Sequence, residues 1–217
     1  MDDDDRGVIG QARPTSALAN ARGRPTAARV SDDVLLDAAR RCVLASGLRR
    51  TTLAEIARTA KVSRMTLYRR FPDVRSVLSA LMTREFGTIL HQATVSGADA
   101  PTARARLVRS AVAAVRLLNA DPLMRTVLDV DTALVVPYVL ERLGGTQRLG
   151  EKFIVALLEA GHRDGSIRRT STTVQARAVL LVVQSFVLSL RAATADLAAE
   201  ALLTELAHHL NAALRPV

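Results

Sequence analysis

Thr51-Thr52-Leu53-Ala54-Glu55-Ile56-Ala57-Arg58-Thr59-Ala60-Lys61-Val62-Ser63-Arg64-Met65-Thr66-Leu67-Tyr68-Arg69-Arg70-Phe71 reads as two short helices joined by a tight turn. Thr52 and Glu55 have capping-box spacing, and the helix they open turns Leu53, Ile56, Ala57 and Ala60 to one side. Lys61 and Val62 make the turn, with Val62 placed to plug the angle between the helices. Ser63 caps the second helix, whose Leu67 and Phe71 point inward at i, i+4. Its other faces carry Arg64, Thr66, Tyr68, Arg69 and Arg70, side chains that a core would not choose. Two apolar anchors under a coat of cations and hydroxyls suit a helix lying in the major groove of DNA. Arg pairs there with two acceptors on guanine, while Thr and Tyr reach phosphates or a thymine methyl. The alternative is an ordinary pair of surface helices.

Charge placement favours the first reading. From Arg6 to Glu85 the balance is +10, and from Phe86 to the end it is only +3. Asp2 to Asp5 bring the chain to its net +9. A polyanion partner calls for cations concentrated in this way. Only Lys61 and Lys152 are lysines; a high-GC coding bias accounts for Arg over Lys, but not for the asymmetry.

Composition bounds the fold class. The 217 residues are 49% hydrophobic and only 3% aromatic, with no Trp. A core of Ala, Leu and Val favours helix over strand, and the chain has ample length to bury one. Cys42 is the single cysteine, so intrachain disulfides and thiolate clusters are excluded. The apolar stretch from Ala178 to Leu190 is shorter than the ~20 residues of a membrane span. The chain therefore reads as soluble and cytoplasmic, with no membrane partner.

Residues 1–29 lack an apolar period and read as a flexible basic arm. Within it, Arg22-Gly23-Arg24-Pro25 has the form of an AT-hook core, a cationic strip that fits a narrow A·T minor groove. Helical order starts at Ser31, with Asp32 and Asp33 favoured by the helix dipole and Gly47 as the stop. Cys42 lies on the apolar face of this helix as packing. Asp73 caps a long helix through Leu90, Gly97–Pro101 breaks the chain, and Asp121–Pro122 starts another helix. Gly144–Gly145 and Asp164–Gly165 are further breaks. Thr172 and Gln175 have capping-box spacing, and a last amphipathic helix holds Leu202, Leu203, Leu206 and Leu210. The expectation is an all-α chain of about nine helices: an arm (1–29), a helix-turn-helix domain (30–76) and a helical domain (77–217).

Over residues 31–82 the sequence resembles the tetracycline-repressor (TetR) family. The matching features are the Thr51–Thr52 cap, Ile56–Ala57, the Val62–Ser63 turn, Thr66-Leu67-Tyr68 and Phe71–Pro72. The resemblance implies DNA-facing positions at Thr52, Arg64, Met65, Thr66, Tyr68, Arg69 and Arg70, with Thr51 beside them. Two positions depart from the family pattern. Lys61 stands where Gly is usual, so a positive φ there costs ~1 kcal/mol. Val74 stands where a basic residue is common, and the neighbouring Arg75 is the candidate substitute for its phosphate contact. The family also implies a second domain that dimerises and binds a small molecule that releases DNA.

For that second domain, the helix carrying Val179, Val183, Phe186, Val187 and Leu190 is apolar nearly all round. With Leu203, Leu206 and Leu210 of the last helix it is the candidate dimer interface; the core of a monomer is the alternative. Few aromatics favour an aliphatic effector over a planar drug. His91, Asn119, Tyr138, Arg142, Phe153, His162 and Gln184 are candidates to line its site. No zinc-protease, P-loop, nucleophile-elbow or dinucleotide motif is present, and adjacent His208 and His209 diverge by ~100° on a helix. No enzyme activity, cofactor or metal is expected. The partners implied are a double-stranded DNA operator, a second copy of the chain and a small apolar effector. A constitutive or architectural DNA-binding protein without an effector is the rival reading.

Overall fold

A computed structural model describes residues 31–130 and 144–216. Among them nine α-helices run in order: α1 Asp32–Ser46, α2 Leu53–Thr59, α3 Arg64–Arg70, α4 Val74–Ser96, α5 Ala103–Ala120, α6 Pro122–Val130, α7 Gly145–Arg163, α8 Thr172–Ala193 and α9 Ala199–Leu214. A 3₁₀ turn at Leu48–Arg50 joins α1 to α2. Their fold is all-helical, and from Ser31 onward the described residues form one compact unit.

The caps show why the helices start where they do. The Thr52 hydroxyl accepts from the Glu55 amide at 3.2 Å, one half of the expected capping box. Ser63 accepts from the Thr66 amide at 3.1 Å, and Asp121 from Met124 at 2.9 Å. Asp73 accepts from the Ser76 amide at 2.7 Å, and the Ser76 hydroxyl accepts in return from the Asp73 amide. Ser31 precedes α1 without a side-chain cap bond, so Asp32 and Asp33 in the first turn supply the favourable charge. The expected box at Thr172 does not form. Ser171 is the N-cap of α8, and the Gln175 side chain turns inward to His162 at 3.0 Å.

The head comprises α1, α2, α3 and the first turns of α4. Leu35, Val43, Ile56, Leu67 and Val77 are fully buried in it, with Cys42 among them. This core continues into Leu118, Leu123 and Met124 at the α5–α6 junction, so the head rests on the body. Ion pairs follow the same path. Arg84 of α4 reaches Asp37 of α1 at 2.8 Å and Glu85 at 2.7 Å, while Arg40 reaches Glu85 at 3.2 Å and Asp121 at 3.6 Å. Central to the body is α5, which packs against α4, α6, α7, α8 and α9. A second core joins Val115 of α5, Leu158, Ile167 and Leu206.

Helix α8 corrects two expectations. At 22 residues and mean hydropathy 1.6 over its most apolar window, it is long and apolar enough to cross a membrane, though the run within it looked too short. The proposed dimer residues are also largely claimed within the chain. Val179, Leu190, Leu203, Leu206 and Leu210 are buried, and Val183, Phe186 and Val187 pack half-buried against the same core. A side chain already covered by its own chain has no apolar area left to offer a partner.

Candidate nucleic-acid interface and cavity

Recognition helix α3 is held by its two apolar anchors, Leu67 at 0% and Phe71 at 8% exposure. Losing either would remove most of what fixes its angle; a buried Leu→Ala change costs ~2–5 kcal/mol. Opposite the anchors, Arg64, Met65, Tyr68, Arg69 and Arg70 are exposed, and so is Thr52 at the start of α2. Met65 is 76% exposed on this face. Thr66 is half-buried, and its hydroxyl lies 2.8 Å from that of Ser63. Lys61 turns between the helices at φ 56°, the left-handed region that Gly normally fills.

Two expected DNA contacts are placed otherwise. Thr51 is 4% exposed and its hydroxyl donates to the Gly47 carbonyl at 2.9 Å, so it closes the turn into α2 instead of facing outward. Arg70 forks onto the Asp32 carboxylate, with Nη2 to Oδ2 at 2.7 Å. Hydrogen bonds from this guanidinium hold the Asp32 carboxyl below its ordinary range. The pair ties the last turn of α3 to the start of α1 and leaves the Nη1 hydrogens of the exposed Arg70 guanidinium outside it. Arg75 is exposed in the first turn of α4. Arg22 and Arg24 lie outside the described residues.

Behind the head, a cavity of about 1140 Å³ lies among α4, α5, α7 and α8 and reaches the head at Leu48 and Thr51. Of the expected ligand residues, Phe153 and Gln184 line it. His91 is exposed on α4 and off the wall. Asn119 instead donates to the carbonyls of Val115 at 3.0 Å and Val187 at 3.5 Å, bracing α5 against α8. His162 is engaged by Gln175. Tyr138 and Arg142 lie outside the described residues. Sequence reasoning missed Gln147, whose Oε1 accepts from the Gly144 amide at 2.7 Å while its Nε2 donates to Gln184 Oε1 at 2.7 Å. A glutamine in a first turn after two glycines looks solvent-facing, and no local signal distinguishes this one. Ser110, whose buried hydroxyl has no hydrogen-bond partner, was missed for the same reason.

Two capped helices crossing at a tight turn, the second bearing an exposed cationic face, define a helix-turn-helix DNA-binding protein. The profile described as "Bacterial regulatory proteins, tetR family" matches residues 35–81. HTH-type transcriptional regulators of Mycobacterium bovis and Mycobacterium tuberculosis are each 39% identical over 177 residues, 82% of this chain and 90% of theirs. The chain belongs to the tetR family of bacterial regulatory proteins and is a DNA-binding transcriptional regulator.

Solved structures share the fold at lower identity. The regulator FadR of Bacillus subtilis, in complex with stearoyl-CoA, has TM-score 0.62 and 16% identity, covering 84% of this chain and 99% of that one. The repressor AlkX of a Dietzia strain, implicated in biodegradation of n-alkanes, has TM-score 0.63 and 17% identity, covering 84% and 94%.

Proposed function

We propose that this regulator is a cytoplasmic repressor, a homodimer on a pseudo-palindromic operator that an apolar effector releases. The carrying observation is the cavity, which touches both the head, at Leu48 and Thr51, and the whole body side of α4. A ligand filling it bears on the helix that leads directly out of the recognition helix. Small shifts there change the separation of two heads, which must match half-sites ~34–36 Å apart. The FadR and AlkX folds, one with a bound acyl thioester and one tied to alkane breakdown, support an aliphatic effector.

Support for the dimer comes from α8. Val174, Leu181 and Leu188 recur every seven residues, with Ala178, Ser185 and Ala192 between them at four-residue steps. All six are exposed, and Leu181 is exposed at 56%. Large and small residues in alternation form a heptad seam that a second copy covers by antiparallel or parallel packing. One recognition helix per chain reads only a few base pairs, so two are needed for a defined operator. In the arm, Arg22 and Arg24 add minor-groove contacts beside the recognition helix.

The test uses a duplex selected from a random pool and the delipidated full chain. A hundredfold release requires the effector to prefer the DNA-incompetent state by ~2.7 kcal/mol. The expected result is an aliphatic compound that raises Tm and lowers duplex affinity over the same concentrations. Ligands that bind without altering DNA affinity would leave a constitutive regulator as the better account.

A further inference from the structure

The apolar surface left uncovered on α8 borders the cavity. Among the described residues, Val174, Leu181, Val182 and Leu188 of α8 and Leu197 just after it are large apolar side chains at 39–67% exposure. Counted around α8 from Leu181 at about 100° per residue, Leu188 lies about 20° and Gln184 about 60° to one side. Leu180 and Val187 follow on that side at about 100° and 120°. All four line the cavity. The cavity therefore begins where the exposed seam ends, and Leu188, 40% exposed, belongs to both.

Spacing along the seam selects one packing. Val174, Leu181 and Leu188 alternate with Ala178, Ser185 and Ala192. Two parallel copies in register would stack large on large and small on small, leaving voids at the small layers. An antiparallel copy, turned about a two-fold axis level with Val183, sets Val174 opposite Ala192, Leu181 opposite Ser185 and Leu188 opposite Ala178. Every large side chain then meets a small one, as interdigitating layers require. Arg177, beside the seam, is paired within its own chain to Glu151 at 2.7 Å and brings no unpaired charge to the contact.

Such an axis lays like flank on like flank, so the Gln184 side of one α8 faces the Gln184 side of the other. The seam alone is a strip about 33 Å long and about 10 Å wide. That falls short of the roughly 800 Å² that each partner of a stable dimer buries. Covering the Gln184 flank, and with it the cavity edge, supplies area that the strip lacks. We propose that the second copy completes the effector site. Ala178 of the partner subunit seats on Leu188 at the cavity edge, and the partner's Gln184 flank covers the edge beside it. A molecule in the cavity is then more fully buried in the dimer than in a single chain. By linkage, its binding tightens the dimer through the same coupling.

This inference rests on the homodimer reading above, and two measurements keep them apart. Under mild oxidation, Ala178→Cys and Leu188→Cys are each expected to stay uncrosslinked alone. Each cysteine lies about 15 Å along the axis from its own counterpart in the partner, beyond disulfide reach. An equimolar, exchanged mixture of the two is expected to give a covalent dimer; Cys42 is buried and takes no part. A variant that crosslinks alone, or a mixture that does not, overturns the register. Next, 1-decanol is titrated by calorimetry into the delipidated wild type and into Leu181→Glu, a seam variant outside the cavity wall. Circular dichroism and sedimentation follow fold and assembly in both. The wild-type dimer is expected to bind decanol at least about tenfold tighter than the monomeric variant, and decanol to lower the dimer's dissociation constant. A wild-type dimer that binds decanol no tighter than monomeric Leu181→Glu, or not at all, overturns the shared site and leaves the dimer standing. A monomeric wild type, or a Leu181→Glu that stays dimeric, removes the dimer from this face and the inference with it.

Discussion

Lys61 sits at φ 56° with an exposed side chain, so its backbone strain is uncompensated by packing. Lys61→Gly relieves the clash of Cβ with the carbonyl but frees the unfolded chain as well. The expected net gain is a few tenths to about 1 kcal/mol, read as a higher urea midpoint at unchanged slope. On the recognition helix, Arg64 and Arg69 are exposed and have no ion pair among the described residues. Replacing either with Ala is expected to cost ~1–3 kcal/mol on the selected duplex and to relax preference at one base position. Equal losses on selected and scrambled duplexes would assign that arginine to phosphate. Arg70 behaves differently because Asp32 holds it. The identity of these side chains was legible from spacing alone; the Asp32 partner, 38 residues away, was not.

The start of α5 is capped locally by Thr102, whose hydroxyl accepts from the Ala105 amide at 3.2 Å, and also from a distance. Asp164, in the turn after α7, accepts from the Ala103 amide at 2.8 Å and from the Ser166 amide at 2.9 Å. The Ser166 side chain, then these two amides, lower the Asp164 carboxyl to about 2. A depressed folded-state value means the stabilisation is fully present above the unfolded value of 3.8 and is lost as pH falls through about 2. The wild-type Tm is therefore expected to fall more steeply between pH 4 and 2 than that of Asp164→Asn, whose neutral amide does not titrate. Parallel Tm profiles would remove Asp164 from the acid response. Sequence reading placed the break at Asp164–Gly165 but could not see which helix its carboxylate caps, because Ala103 lies 61 residues earlier.

For the whole molecule, the exposed seam on α8 sets the expectation. Leu181→Glu with Leu188→Glu should yield a monomer by light scattering that keeps its helical circular dichroism, since neither side chain is in the core. Its affinity for the full operator should drop to that of a half-site. A dimer that survives both changes would place the interface on another face. In contrast, Leu206→Glu should unfold the body, because Leu206 is fully buried within one chain.

The local signals of the sequence located the helices, several of their caps and the exposed cationic face of α3. Each rests on residues three or four apart, close enough for spacing to dictate geometry. Periodicity also identified which side chains are apolar, but not what covers them. An all-round apolar helix such as α8 has several faces, and only the packing of α5, α7 and α9 against it decided which are consumed and which remain. Likewise, the all-α class was readable from composition, whereas the cavity was not. Gln147 and Gln184 are 37 residues apart, and they meet only because α7 and α8 pack side by side.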